Sequence, residues 1–588
     1  MTTFKEFTDV CEEIEGISSS LEITTVVSSL LQRISESSDP DAELSIISRF
    51  VMGKVFPDWS AVELGVGPSL LYESISRTAG VPVKQIKQLI RETGDVGEAA
   101  RVALEKGAAG SAGARATQTT FLDFTDVGAG RDDGESGGGD GCSGKGNGAD
   151  GHLTIVEVFD RMLSIAQASG KGSQQIKIKN LQYLFGTASP TESRYIARIV
   201  LEELRIGVGE GLVRNAIAQA FGEDAGAVER SYMLINDLGE VAVTALHHDL
   251  EQVSIRIGRP IKPMLAQIGS FDDVTGLYAA EWKFDGARVQ IHKNGDNIRI
   301  FSRRLENVTK SLPDVVNMIK SQVTANQAIL DGEVVATGPA GKPLAFQEIM
   351  RRFRRKYKVS AMAEKVPLHL NLFDIMYLDG DALIDEPLHI RRKQLESVVR
   401  PHDGSARISV AEQVVTNDPE VAHAVYQAAL DAGHEGIMLK NPDSAYSPGK
   451  RGKNWLKIKP IMETLDLVVV GANWGEGRRA NLIGSYMLAC YDPDTAEFLE
   501  IGRVGTGITD EQLAELTELF SQYIISEDGG AIELKPAVVF EIAYEEIQRS
   551  THYASGYALR FPRLVRVRFD KTPEDADNVE RVGMLAGG

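Results

Sequence analysis

A lysine is a nucleophile only after its ammonium has lost a proton, which requires desolvation or a setting among other cations. The stretch Glu281-Trp282-Lys283-Phe284-Asp285-Gly286-Ala287-Arg288 offers such a setting, with the lysine at the end of a strand predicted over 278–284 and a glycine turn directly after it. Further along stand Ser302-Arg303-Arg304, Asp331-Gly332-Glu333, Phe373-Asp374-Ile375, Glu435-Gly436-Ile437-Met438-Leu439-Lys440, Trp455-Leu456-Lys457-Ile458-Lys459 and Arg568-Phe569-Asp570-Lys571. On a strand, alternate residues share a face, so Lys457 and Lys459 project together, and Lys440 could add a third cation to a phosphate pocket. Asp331 and Glu333 also share a face, and Glu435 could join them as an oxygen ligand for Mg²⁺ or as a ribose acceptor. Phe373 could stack on a base or fill a core, and Asp374 could cap a turn. Jointly these parts suit nucleotide chemistry.

The elements that must position them change character along the chain. Apolar residues at three and four spacing, as in Ile46, Ile47, Phe50, Val51 and Val55, predict helix after helix from 1 to about 122, and again from 153 to about 246. Between them, residues 126–151 are dominated by Gly, Asp and Ser and read as a flexible loop. A Gly-rich turn into a helix presents N–H groups to an anion, so Gly207 and Gly209, with Arg205 and Arg214, could grip a DNA phosphate; a plain helix-to-helix turn accounts for them equally well. After Pro260 the pattern becomes strands at 278–284, 288–293, 297–302, 328–336, 368–378, 436–440, 455–459 and 465–470. Asn294-Gly295 makes a hairpin, and helices are expected at 387–399 and 419–432. From about 463 short strands dominate around one helix at 510–525, which predicts a small closed β-barrel. The expected architecture is multidomain: an all-α N-terminal region (1–245), an α+β region (246–460) and a C-terminal β-barrel (461–588).

Composition limits the function. The chain has 588 residues, 43% hydrophobic and 25% charged, with a net charge of −20. That excess of acid argues against non-specific coating of nucleic acid but not against a local basic groove. Cations do cluster, at 351–358, at 450–459 and at Arg560, Arg563, Arg566 and Arg568. Three cysteines far apart exclude a disulfide framework and a four-thiolate zinc site. No apolar run reaches membrane-spanning length and the opening residues are acidic, so an intracellular, cytoplasmic and nucleoid-associated location is expected.

In order and wording the motif series resembles the ATP-dependent polynucleotide ligases, and the whole chain resembles the archaeal and eukaryotic replicative DNA ligases, over about 570 residues. Gly258-Arg-Pro-Ile-Lys-Pro-Met-Leu265, Ala554-Ser-Gly-Tyr-Ala-Leu-Arg-Phe-Pro-Arg563 and Lys571-Thr-Pro-Glu-Asp-Ala-Asp577 strengthen it. The resemblance implies a helical DNA-binding domain, an adenylation domain and an OB-fold. It also implies sealing of nicks in duplex DNA, in replication, repair and recombination, by way of a lysyl-AMP. The AMP-bearing lysine then falls on Lys283, and the ATP contacts on Glu281, Arg288, Arg303, Glu333, Phe373, Arg451, Lys457 and Lys459. Mg²⁺ is expected on Glu333 and Glu435. Arg568, Asp570 and Lys571 resemble the family motif that covers the departing pyrophosphate.

Gln118-Thr-Thr-Phe121-Leu-Asp-Phe124 has Gln at position one, an apolar residue at four and an aromatic at seven, the spacing of the box by which replication proteins bind a sliding clamp of the PCNA type. The same rings could instead pack on the helical region. A monomer is expected. The rival readings are an RNA ligase, a GTP-using capping enzyme, an NAD-dependent ligase and a non-catalytic scaffold. The long N-terminal match, the missing cysteine module and the intact Lys283, Glu333, Lys457 and Lys459 oppose them.

Overall fold

Short polar residues followed by acids start many of the helices. Thr3 and Ser189 each accept from the backbone three residues on, while Glu6 and Glu192 return the bond, so both ends of these helices' first turns are satisfied. A computed structural model describes residues 1–60, 62–111, 153–273, 276–338, 342–344, 346–353, 359–400, 407–460, 464–475, 479, 481–528 and 530–586. The Gln118–Phe124 box and the Gly-rich 126–151 stretch therefore lie outside the described residues. Among those described, twelve α-helices run from Phe4–Glu15 to Leu238–Leu246. They bury Phe4, Phe7, Ile47, Phe50, Leu181, Ile196, Val241 and their neighbours in one core. Arg49 closes the chain's two ends of this region by pairing with Asp237 at 2.6 Å.

The α+β part holds two sheets. One contains β1 (Leu265–Ile268), β2 (Tyr278–Trp282), β9 (Gln413–Thr416), β10 (Ile437–Lys440) and β11 (Arg451–Ile458), in the order β1-β11-β10-β2-β9. The other runs β4-β3-β5-β6-β7, with β3 at Ala287–Asn294, β4 at Asn297–Ser302, β5 at Gln327–Ala336, β6 at Leu368–Leu378, β7 at Asp381–Ala382, and β8 (Ile408–Val410) beside β6. Alternation gives each sheet two faces. The outward faces pack on helices such as Pro313–Gln322 and Pro419–Asp431. The facing sides meet over Ile329, Phe373, Met376, Tyr446 and Trp455, and Leu234, Ile255, Ile261 and Met264 join the same cluster. Because the helical region contributes Leu234 to this core, Met1–Lys459 forms one compact unit.

Pro460–Gly588 forms a second unit. Its strands β12 (Leu465–Trp474), β13 (Ile483–Asp492), β14 (Glu497–Val504), β17 (Val539–Ala543) and β20 (Arg563–Arg568) pair in the order β20-β17-β12-β13-β14. A bridge between Thr506 and Arg563 brings the two ends of that order together. The strands curl into a barrel whose interior is filled by Tyr486, Leu488, Phe520 and Phe540. β15 (Ile524–Asp528) and β16 (Ala531–Leu534) extend β12, and β18 (Glu546–Arg549) and β19 (Tyr557–Arg560) form a separate hairpin. Among the described residues no helix is long and apolar enough to cross a membrane.

Two members of the cation clusters are engaged within the fold. Arg352 is fully buried and pairs with Asp314 at 2.6 Å. It stands on the inward face of the helix Phe346–Phe353, three residues after the buried Ile349. Lys450 is likewise engaged, 3.0 Å from Glu229.

Candidate active site

Lys283 follows β2 directly, and its backbone is locked: its N–H donates to Gly436 O at 2.8 Å and its carbonyl accepts from Glu435 N at 3.0 Å. That pairing sets the lysine opposite Glu435, whose Oε2 lies 2.5 Å from Lys283 Nζ and 2.6 Å from Lys459 Nζ. Burial raises the Glu435 carboxyl, but the two ammonium groups override it and hold it at about 2, so it stays charged. The site glycines have steric reasons. A Cβ on Gly286 would come within 2.6 Å of Val334 O and 2.7 Å of the Glu333 side chain. Gly436 has φ +123° and a Cβ there would collide with Ile458 O, so only glycine lets this strand end approach β11.

From the other sheet, Arg288 on β3 and Asp331 and Glu333 on β5 face the same space. Arg288 grips Asp331 through two bonds of 2.5 and 3.0 Å and donates to Met264 O and to the Tyr446 hydroxyl. Tyr446 in turn donates to Asp331 at 2.9 Å. Asp331 is thus committed to this buried network, which corrects its expected use as a metal ligand. Glu333 differs. Burial pushes its carboxyl up to about 8, against the pull of Lys283 and Arg288, and the charge on Glu435 helps to raise it.

Glu281 is nearly fully buried, its Oε2 2.6 Å from Lys440 Nζ and its Oε1 accepting from Gln413 at 2.8 Å. Lys440 sits 4.5 Å from the ring centres of both Phe373 and Trp455. It is therefore a buried partner of Glu281 and not a third cation of a phosphate pocket; removing one member of such a pair costs about 3–5 kcal/mol because the other charge is left buried. Phe373 is 9% exposed, with Trp455 edge-on at 6.3 Å and the Arg288 guanidinium 5.5 Å from its centre. Beneath it Asp374 and Arg391, both fully buried, pair at 2.8 Å, so Asp374 anchors the strand and caps no turn. Lys457, half-buried, shares strand parity with Trp455 and so faces the cleft. Arg451 opens β11 as an exposed residue, and Arg303 is exposed in the turn after β4.

The remaining sequence candidates lie elsewhere. Gly207 has φ +75°, and Gly209 begins the helix Glu210–Phe221 without a side-chain cap. The arginines beside them are occupied: Arg214 pairs with Glu229 at 2.6 Å and Arg205 with Glu203 at 2.8 Å. In the barrel unit, Arg568 and Asp570 pair at 2.7 Å, and Lys571 reaches Asp466 at 2.7 Å. Sequence reasoning missed Tyr446, Trp455 and Gln413 beside these groups. Trp455 stands inside the Trp455–Lys459 motif; the other two carry no spacing signal, since each meets its partner only through the tertiary fold.

The comparisons with known proteins follow these divisions. Residues 3–130 and 142–218 match the family described as DNA ligase N terminus. Residues 263–459 match the ATP dependent DNA ligase domain, and 479–571 the ATP dependent DNA ligase C terminal region. DNA ligase from Methanococcoides burtonii is 55% identical over 99% of this chain and 98% of its own length. DNA ligase from Methanothrix thermoacetophila is 54% identical over 100% and 98%, and DNA ligase from Thermococcus fumicolans 45% identical over 98% of each. The solved structure Pmar-Lig_Pre shares the fold at a TM-score of 0.55 over 96% of this chain and 99% of its own, with 16% identity. A helical region, a two-sheet cleft with a lysine at its rim and a C-terminal barrel are the build of a multidomain ligase. The chain belongs to the ATP-dependent DNA ligases.

Proposed function

We propose that Lys283 carries this ligase's covalent chemistry. Its amine attacks the α-phosphate of ATP, forming a P–N bond as pyrophosphate leaves and its proton passes to solvent. AMP then transfers to the 5′-phosphate of a nick, and the 3′-hydroxyl displaces AMP to complete the phosphodiester. Such displacements depend mostly on positioning and on neutralising phosphate charge. The observation that carries the reading is the Lys283 ammonium held 2.5 Å from Glu435 among Lys459, Arg288 and Glu333. Glu281, Arg288, Arg303, Glu333, Phe373, Arg451, Lys457 and Lys459 bind ATP in this reading.

Glu333 and Glu435 suit Mg²⁺ as hard oxygen donors. Among the described residues no three acidic or histidine side chains converge, so two carboxylates would hold the ion together with phosphate oxygens and water. Bound there, Mg²⁺ supplies further neutralisation of phosphate charge. Glu333, protonated at neutral pH with its carboxyl near 8, must lose its proton to ligate a cation. Incubation with α-labelled ATP, GTP or NAD should label the protein from ATP, and the label should pass to nicked DNA. The Mg²⁺ concentration giving half-maximal labelling should fall as pH rises from 7 to 9. Labelling from GTP or NAD instead would overturn the nucleotide assignment, and a half-maximal Mg²⁺ concentration that does not change between pH 7 and 9 would overturn the metal role of Glu333.

The same proposal divides the chain into a DNA-binding region (1–245), an adenylation region (246–460) and an OB-fold (461–588), acting as an intracellular monomer. Gly207 and Gly209 present backbone N–H groups to a DNA phosphate, with Arg205 and Arg214 alongside. The Gln118, Phe121 and Phe124 box binds a sliding clamp of the PCNA type; its spacing and its place beside the Gly-rich stretch support this. Phe121→Ala with Phe124→Ala should weaken clamp binding and remove clamp stimulation of ligation, with clamp-free sealing and melting temperature near wild type. A large fall in melting temperature with unchanged clamp affinity would show that the rings are core residues.

A further inference from the structure

The two cations of the Arg568-x-Asp570-Lys571 motif share a carboxylate that the motif does not contain. Asp466, the second residue of β12, accepts from Arg568 Nη1 at 2.9 and 3.1 Å, and its Oδ2 is 2.7 Å from Lys571 Nζ. Its backbone is fixed on both sides by Asp577: Asp466 N donates to Asp577 Oδ2 at 2.8 Å, and Asp577 N donates to Asp466 O at 2.7 Å. The other edge of the Arg568 guanidinium is held by Asp570 at 2.7 and 2.9 Å. Glu541, the next nearest carboxylate, is 4.0 Å from Arg568 and already pairs with Arg566 at 2.6 Å.

Two long cationic side chains left to themselves repel each other and sample many rotamers. A shared carboxylate on a pinned strand removes the repulsion and brings both head groups to one point before any substrate arrives. Groups that must meet developing charge act best when they need no rearrangement at the moment of reaction. We infer that Asp466 is a positioning residue for the first step of ligation, holding Arg568 and Lys571 as a preassembled pair for the pyrophosphate of ATP. This rests on the reading of Arg568 and Lys571 as phosphate-facing.

The test compares Asp466→Asn, which keeps the shape and removes the charge, with Lys571→Ala and with Asp466→Glu in the full chain. Three rates are read: lysine labelling across ATP concentrations, pyrophosphate-driven release of AMP from the labelled protein, and sealing of a nick that already carries 5′-AMP. Asp466→Asn should slow the first two by about tenfold to a hundredfold, the scale on which loss of an orienting partner acts, with sealing of the adenylated nick within about twofold. Asp466→Glu should recover part of the loss. If Lys571→Ala cripples labelling and Asp466→Asn does not, the positioning role fails while the motif reading stands. If Lys571→Ala is also silent, the motif reading itself fails. Faster labelling by Asp466→Asn would make the contact a restraint to be broken, the opposite of a positioning role. Equal loss in labelling and sealing, with a lowered melting temperature, would reduce Asp466 to a structural residue.

Discussion

Lys283→Ala is expected to abolish labelling of the protein by α-labelled ATP and to reduce nick sealing from ATP by more than about a thousandfold, because the covalent route has no other entry. The amine nearest to Lys283 is Lys459, which contacts the same oxygen of Glu435. Lys459 lies just past the end of β11, however, whereas Lys283 is locked by main-chain bonds to both Glu435 and Gly436. Sealing of a nick already bearing 5′-AMP should survive, since that displacement needs no lysyl intermediate. Stability should change little: Lys283 is about one-fifth exposed, and Glu435 keeps Lys459 as its partner. A Lys283→Ala protein that still became labelled would show that the nucleophile lies elsewhere.

Alanine at Asp570 or Lys571 should slow lysine adenylylation by orders of magnitude and leave the final sealing of adenylated DNA close to wild type. Only the first step expels pyrophosphate, so only that step should need cations on the leaving-group side. The two substitutions act differently. Lys571→Ala deletes a cation outright. Asp570→Ala instead removes the carboxylate that orients the Arg568 guanidinium through Nε and Nη2, and that contact holds the Asp570 carboxyl well below the usual range. Both residues are at the surface of their unit, so the barrel core is untouched and melting temperature serves as the control. Equal loss in adenylylation and in sealing of adenylated DNA would defeat the leaving-group assignment.

Strands with strong alternation are legible in the residue pattern itself. The predicted 368–378 matches Leu368–Leu378, and the hairpin about Asn294-Gly295 joins Ala287–Asn294 to Asn297–Ser302. Elements whose apolar pattern is short are not legible in that way, among them Leu265–Ile268, Ala531–Leu534 and the last helix Val579–Leu585. Four residues of strand carry too few alternations to rise above chance, and they exist because a neighbour supplies their hydrogen bonds.

The sequence alone determined which side chains could do chemistry. A lysine before a glycine turn, carboxylates two apart and lysines two apart on strands are local patterns, and local periodicity decides which face of a strand each residue takes. What those groups do to one another was decided only by tertiary structure. Asp331 and Glu333 are equivalent in sequence terms, yet Asp331 is bound to Arg288 and Tyr446 while the half-buried Glu333 has its carboxyl pushed up to about 8. Lys440, Lys457 and Lys459 look alike in the chain, yet one is stacked between rings against Glu281 and one is bound to Glu435 beside Lys283. Asp466 and Lys571, more than a hundred residues apart, meet at 2.7 Å. Charge and burial act through space, and distances of that kind exist only once the sheets and the barrel have closed.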